Sequence, residues 1–156
     1  MTITTLNFLI DGDKILLAMK KRGFGKDKWN GVGGKLHSAE TPQDAIVRET
    51  EEEIGVKIEK QDLEKVGIID FHFYDKPEWD QECHIFLTKK WEGEPTETEE
   101  MKPEWYLFEN VPYELMWVDD KYWLPLVLEG KKFKAEFYFN KEGNSFDKWK
   151  IEEWKE

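Results

Sequence analysis

The stretch that decides the fold is Gly34 to Val56, GKLHSAETPQDAIVRETEEEIGV. Its middle reads as a helix from Pro42 to about Ile54. Thr41 suits the N-cap, where its hydroxyl can accept from a first-turn backbone N–H. Pro42 suits the first helical position, whose N–H would be unpaired anyway. Asp44 is an acid in the first turn, where the helix dipole favours it. Gly55 can take the left-handed conformation that ends a helix. At about 100° per residue, Val47, Thr50 and Ile54 share one face. Glu49, Glu52 and Glu53 share another, with Ala45 beneath them. Three carboxylates at this spacing repel one another. A divalent cation relieves the repulsion, and hard cations such as Mg²⁺ take oxygen ligands. Arg48, one turn before Glu52, can hold that carboxylate. A solvated acidic helix face is the alternative.

Working outward, residues 3 to 10 read as a strand, Asp11-Gly12-Asp13 as a turn and Lys14 to Lys20 as the returning strand. Residues 22 to 35 carry five glycines, which permit tight turns and close backbone approach to a ligand. An ordinary surface loop would look the same, but this one runs straight into the acidic helix. Val66 to Phe73 and Cys83 to Lys89 read as strands joined by a polar segment. Residues 91 to 103 are acidic and polar, hence a loop, followed by a short strand from Trp105 to Phe108. Asp119 can cap a second helix through Leu128, ended by Gly130, with Pro125 tolerable only in its first turns. Phe133 to Phe139 alternates as a strand. The amphipathic tail, Ser145 to Glu156, is open between strand and helix. The pattern predicts an α/β chain with a mixed sheet and helices on its faces.

The 156 residues suffice for one domain with a real core, and we expect a single domain over 1–156. Eight Trp and ten Phe supply large flat surfaces for packing or for a ring-shaped ligand. The single cysteine, Cys83, excludes an internal disulfide. No signal peptide, long apolar run or lipidation pattern is visible, so a cytoplasmic location without membrane attachment is expected. The net charge of −11 disfavours polymeric nucleic acid as a partner. A small polyanion could bind where basic residues cluster, at Lys20, Lys21, Arg22, Lys26 and Lys28, with Lys35 close behind. Oligomeric state is not written in the pattern; a monomer is expected.

The Gly34–Val56 stretch resembles the Nudix box, Gly-x5-Glu-x7-Arg-Glu-U-x-Glu-Glu-x-Gly-U, where U is a bulky aliphatic. Gly34, Glu40, Arg48, Glu49, Glu52, Glu53, Gly55 and Val56 stand at its required positions. Thr50 departs from it at a U position; its hydroxyl needs a partner if buried. The resemblance implies a Nudix-type α/β/α sandwich and a hydrolase of nucleoside diphosphates linked to another moiety. It implies Mg²⁺, with Mn²⁺ as a possible substitute. The expected ligands are Glu49, Glu52, Glu53 and the Gly33 carbonyl, with Glu100 joining from the acidic loop. Arg48 and the three box glutamates are the expected catalytic set.

Other segments are similar to the mammalian-type oxidised purine nucleoside triphosphatases of this family, the 8-oxo-dGTP diphosphatases. They are MKKRGFG at 19–25, WNGVGGK at 29–35, EEM at 99–101 and MWVDDKYW at 116–123. The likeness covers about residues 3 to 139, with a small insertion near Trp79. Val32 and Val118 depart from an expected Phe and Pro, and nothing carries over to the tail. The resemblance implies hydrolysis of oxidised purine nucleoside triphosphates to monophosphate and pyrophosphate, sanitising the nucleotide pool. Other specificities (2-oxo-dATP, methylated purines, general NTPs) and a non-catalytic nucleotide sensor are the alternatives. Candidate substrate-binding residues are Thr5, Lys20, Phe24, Asn30, Gly33, Gly34, Lys35, Trp117, Asp119 and Asp120. Asn30 offers a donor and an acceptor to a purine edge. If Trp117 and Phe24 exclude water, one of the paired acids should stay protonated and donate while the other accepts. Asp119 as a plain N-cap, and Trp117, Phe71, Phe73 and Met101 as core, are the competing readings.

Overall fold

The structure is a computed structural model, and it describes residues 1–140 and 145–154. Alternation along two adjacent strands explains its layers. In β1 (Thr2–Asp11) Phe8 and Ile10 face one core while Leu9 faces another. In β2 (Lys14–Lys20) Ile15 and Leu17 face the first core, and Leu16 and Ala18 the second. A sheet buried on both faces needs cover on both, and the two helices supply it. Helix α1 (Pro42–Ile54) brings Ile54 to the second core, and α2 (Asp120–Leu128) brings Trp123, Leu124 and Val127 to the first.

The remaining strands are β3 (Trp29–Asn30), β4 (Leu63–Phe73), β5 (Gln81–Thr88), β6 (Met101–Leu107), β7 (Phe133–Phe139) and β8 (Phe146–Glu153). The sheet runs β3-β2-β1-β5-β4-β7-β8, with β6 paired to β2. The pairs β1–β5 and β4–β7 are parallel, and the others antiparallel. The chain is thus α/β with a large mixed sheet, as the pattern predicts.

The first helix has the expected bounds and caps. The Asp44 N–H donates to Thr41 Oγ1 at 3.2 Å, and the Thr41 N–H donates back to Asp44 Oδ2 at 3.0 Å. Gly55 closes the helix at φ +72°. The buried face differs from the expected one. It comprises Ala45, Ile46, Thr50, Glu53 and Ile54, while Val47 is only half-buried. Glu53 therefore leaves the solvent face that Glu52 keeps. The Thr50 hydroxyl is satisfied: it accepts from Asn7 Nδ2 at 3.4 Å, and Thr88 Oγ1 donates to Asn7 Oδ1 at 2.8 Å.

Two further expectations are corrected, and one left open is decided. The strand expected to start at Trp105 starts at Met101, because β6 lies at a sheet edge, where Pro103 costs no ladder bond. The Asp119 carboxylate caps no backbone N–H; it accepts the Trp123 indole N–H at 2.8 Å instead. The tail is a strand, paired antiparallel with β7; Lys155 and Glu156 lie outside the described residues.

Candidate active site

The acidic face of α1 is organised by Arg48. Its Nε and Nη2 donate to the two Glu40 oxygens at 2.8 and 2.9 Å, a bidentate pair. Its Nη1 donates to Glu49 at 2.7 Å and to Glu52 at 3.2 Å. Glu40 also accepts the His37 N–H at 2.6 Å. The guanidinium, then that backbone bond, holds the Glu40 carboxyl down to about 2. Glu40 is a box position to which the sequence reading gave no task. Its task is to anchor the arginine that aims Glu49 and Glu52.

Glu53 is the contrary case. It is 3 % exposed, and its Oε2 has no hydrogen-bond partner among the described residues. Burial, then its contact with the Glu49 carboxyl and the charge of Glu100, push its pKa up to about 10; Lys20 pulls the other way. An orphaned buried carboxylate oxygen beside a second carboxylate is a site that a cation would complete. Among the described residues no three His, Cys, Asp or Glu side chains already converge on one point. The donor chemistry fits a hard divalent ion; Glu52, turned toward Arg48, and Glu100, at 3.5 Å from Arg22, stand further out.

The glycine loop brings backbone against this helix. A Cβ on Gly34 would lie 3.0 Å from Glu49 Oε1, and one on Gly33 would collide with the Thr5 carbonyl. Thr5 clamps the loop: its Oγ1 donates to the Gly34 carbonyl at 3.0 Å, and its N–H donates to the same oxygen at 2.9 Å. Side chains larger than hydrogen would push the loop away from the acids.

Beside it opens a cavity of about 480 Å³ lined by Thr5, Lys20, Phe24, Asn30, Gly33, Gly34, Trp117, Asp119 and Asp120. Nine of the ten expected substrate-binding residues thus share one cavity. Lys35 does not line it; its side chain is exposed and its carbonyl accepts from Arg48 at 3.3 Å. Asp119 and Asp120 are buried at 3 % and 2 % exposure, and burial raises both pKa values, Asp120 well above the usual range. Two adjacent acids in one dry place cannot both ionise cheaply, so the Asp120 carboxyl is held neutral beside Asp119. Asp120 Oδ2 also has no partner among the described residues. Asn30 Oδ1 accepts the Gly31 N–H at 2.8 Å, which fixes its amide. Trp117 is half-buried, with the Phe24 ring at 5.2 Å and Lys28 Nζ at 5.1 Å from its centroid.

Phe71, Phe73 and Met101 serve both readings, since they pack on the cores and line the cavity. Lys28, expected as part of the basic cluster, lines it as well, and so do Trp79, Gln81 and Cys83, which were not foreseen; burial pushes the Cys83 thiol up to about 12. Part of the basic cluster is spent elsewhere. Lys21 pairs with Glu97 at 2.5 Å, and Arg22 lies 3.5 Å from Glu100.

This sandwich, with a carboxylate-bearing helix facing a glycine loop, matches the NUDIX domain over residues 2–127. The chain belongs to the Nudix hydrolase family, whose members generally use divalent metals such as Mg²⁺. It is 44 % identical over 135 residues to the oxidized purine nucleoside triphosphate hydrolase of Mus musculus, covering 86 % of this chain and 85 % of that one. It is 42 % identical over 137 residues to the Danio rerio protein of the same name, covering 88 % and 86 %. A mutator MutT protein from Bacillus halodurans has the same fold, with a TM-score of 0.83, 24 % identity and 97 % of each chain covered. Among the described residues no helix is long and apolar enough to cross a membrane.

Proposed function

We propose that this chain hydrolyses oxidised purine nucleoside triphosphates of the 8-oxo-dGTP type to monophosphate and pyrophosphate. The observation that carries the reading is the junction of two sites: a buried acid pair at the end of an aromatic cavity, and a carboxylate cluster at the glycine loop beside it. A base entering edge-first meets Asp119 and Asp120, and its phosphates then run past Lys20 toward Glu49 and Glu53. Relatives sharing over 40 % identity are named for this activity.

Glu49, Glu52, Glu53 and the Gly33 carbonyl would hold Mg²⁺, or Mn²⁺ in its place, with Glu100 at the edge of the site. When bound, the ion neutralises phosphate charge and lowers the pKa of the attacking water. Arg48, anchored on Glu40, keeps Glu49 and Glu52 in position. Glu53 would have to release its proton to solvent for the site to fill. Neutral Asp120 donates to the base edge while Asp119, held by Trp123, accepts; Trp117 lies against the ring face. Acids that can exchange a proton fit more than one oxidised purine pattern.

We further propose that the chain is a single domain and acts as a cytoplasmic monomer that removes damaged precursors from the nucleotide pool and so protects DNA. Its charge of −11 keeps polymeric nucleic acid away. The cleaved bond tests the chemistry. Incubation with 8-oxo-dGTP and Mg²⁺ should release pyrophosphate and the monophosphate; release of orthophosphate and the diphosphate would refute it.

A further inference from the structure

Three aromatic rings from three different connections meet at the mouth of the base cavity. Trp117 precedes α2, Phe24 comes from the glycine loop, and Trp79 from the short turn between β4 and β5. Phe24 lies 5.2 Å from Trp117 and 6.5 Å from Trp79, so it bridges the two. Trp79 stands edge-on against Phe73 at 5.8 Å and 82°, and Phe73 stacks on Phe139 at 5.4 Å.

The two sides of this rim differ in freedom. The Trp79 turn is pinned. The Trp79 N–H donates to the Lys76 carbonyl at 2.9 Å, and the Asp80 N–H to the Pro77 carbonyl at 3.0 Å. Asp80 Oδ1 accepts the Phe73 N–H at 2.9 Å, and its carbonyl accepts the Thr2 N–H at 3.1 Å. Lys76 Nζ sits 4.1 Å from the centroid of the Trp79 ring. Phe24, by contrast, is 71 % exposed and stands between Gly23 and Gly25, both at positive φ. A large indole held this firmly, yet 38 % exposed and lining a cavity, is a preformed wall.

We propose that Trp79 is a specificity-determining residue for the base. The inference rests on the reading that the cavity takes a purine. Asp119, Asp120 and Trp79 line the same cavity; on this proposal a base anchored at the two acids meets Trp79 with its second ring, and a one-ring pyrimidine does not. Trp79 therefore adds affinity for purines and none for pyrimidines, and it leaves the phosphate chemistry alone.

The test is binding of 8-oxo-dGMP, dGMP and dCMP by calorimetry without metal, together with KM and kcat on the triphosphates. Trp79→Ala should raise Kd and KM for purines about 2- to 10-fold, the size of one aromatic contact. It should leave kcat and the dCMP affinity within about twofold, the contact being absent there. Trp79→Phe should recover most of the loss. Phe24→Ala with Trp79→Ala should cost less than the product of the two single losses, because the rings act together. Equal weakening of purines and pyrimidines, or no change in either, would overturn the proposal. A wild-type protein that bound dCMP as well as the purine monophosphates would refute the purine reading itself, before any variant was made.

Discussion

Glu53→Gln separates what the buried glutamate costs the fold from what it gives the site. In the unfolded chain the carboxyl titrates near 4.5; in the folded protein it is pushed up to about 10 by burial first and Glu49 second. A raised acid contributes stability that is fully present below the unfolded value and is lost as pH rises toward the folded one. Each pH unit in that window costs up to about 1.4 kcal/mol per proton. Glu49 shares the titration, so the pair and not one residue sets the slope. From about pH 5 to pH 8 the metal-free protein should lose about 2–4 kcal/mol through this group. Glutamine keeps the shape and cannot ionise. In EDTA the variant should match wild type within about 1 kcal/mol at about pH 5 and exceed it by about 2–4 kcal/mol at about pH 8. Urea denaturation followed by tryptophan fluorescence measures this directly. Added Mg²⁺ should stabilise wild type far more than the variant, since an ion that binds only the folded state stabilises it by mass action. Turnover of the variant should fall by orders of magnitude. Identical pH dependence in the two proteins would refute the assignment of a protonated Glu53. Normal Mg²⁺-dependent turnover would remove it from the metal site.

Arg48→Lys keeps the charge but loses the fork that grips Glu40, so kcat should drop about 10- to 100-fold and the Mg²⁺ needed for half-maximal rate should rise. An unchanged metal requirement would mean that Arg48 does not aim the acids. Asp119→Asn and Asp120→Asn fix one donor pattern each, so they should reorder kcat/KM among oxidised purines, whereas Trp117→Ala should weaken all purines together. An unchanged ranking in both Asn variants would reduce the pair to structural acids. Gly33→Ala drives a methyl into the Thr5 carbonyl at a φ of +156°, and should cost more than about 1 kcal/mol in urea denaturation while weakening Mg²⁺ activation. Wild-type stability and activity in that variant would contradict the close approach of loop and strand.

The helix was legible because its signals are local: Thr41, Pro42, Asp44 and Gly55 mark both ends within one turn each. Its inner face was not. A helical wheel orders residues around an axis but does not say which direction the sheet lies in. The packing against β1 and β6 buries Ala45 and Ile46 and turns Glu53 inward, at the expense of Val47. Asp119 shows the same limit. Its place before a helix suggests a cap, but Trp123 stands one turn on and offers a buried indole N–H that this carboxylate accepts. Pro103 hid a strand because proline signals a break, and only the pairing of β6 with β2 alone makes it harmless. The lysine cluster looked like one basic patch, yet Lys21 and Arg22 are drawn to the acidic loop, which lies more than seventy residues away in sequence. Apart from the Asp119–Trp123 bond, which spans four residues, each of these turns on a contact between distant segments, which spacing alone does not encode. Trp79 is the clearest case: in sequence it is one aromatic in a polar connection, and only the fold sets it at the cavity mouth.

Whether the site is built for oxidised purine triphosphates is decided by kcat/KM measured side by side with Mg²⁺. The panel is 8-oxo-dGTP, 2-oxo-dATP, a methylated dGTP and the four ordinary dNTPs. 8-oxo-dGTP should exceed dGTP by at least about tenfold, the worth of one charge-assisted hydrogen bond to the buried acids. The pyrimidines should come last. Equal kcat/KM for dGTP and 8-oxo-dGTP, or a pyrimidine at the head of the panel, would contradict the oxidised-purine reading.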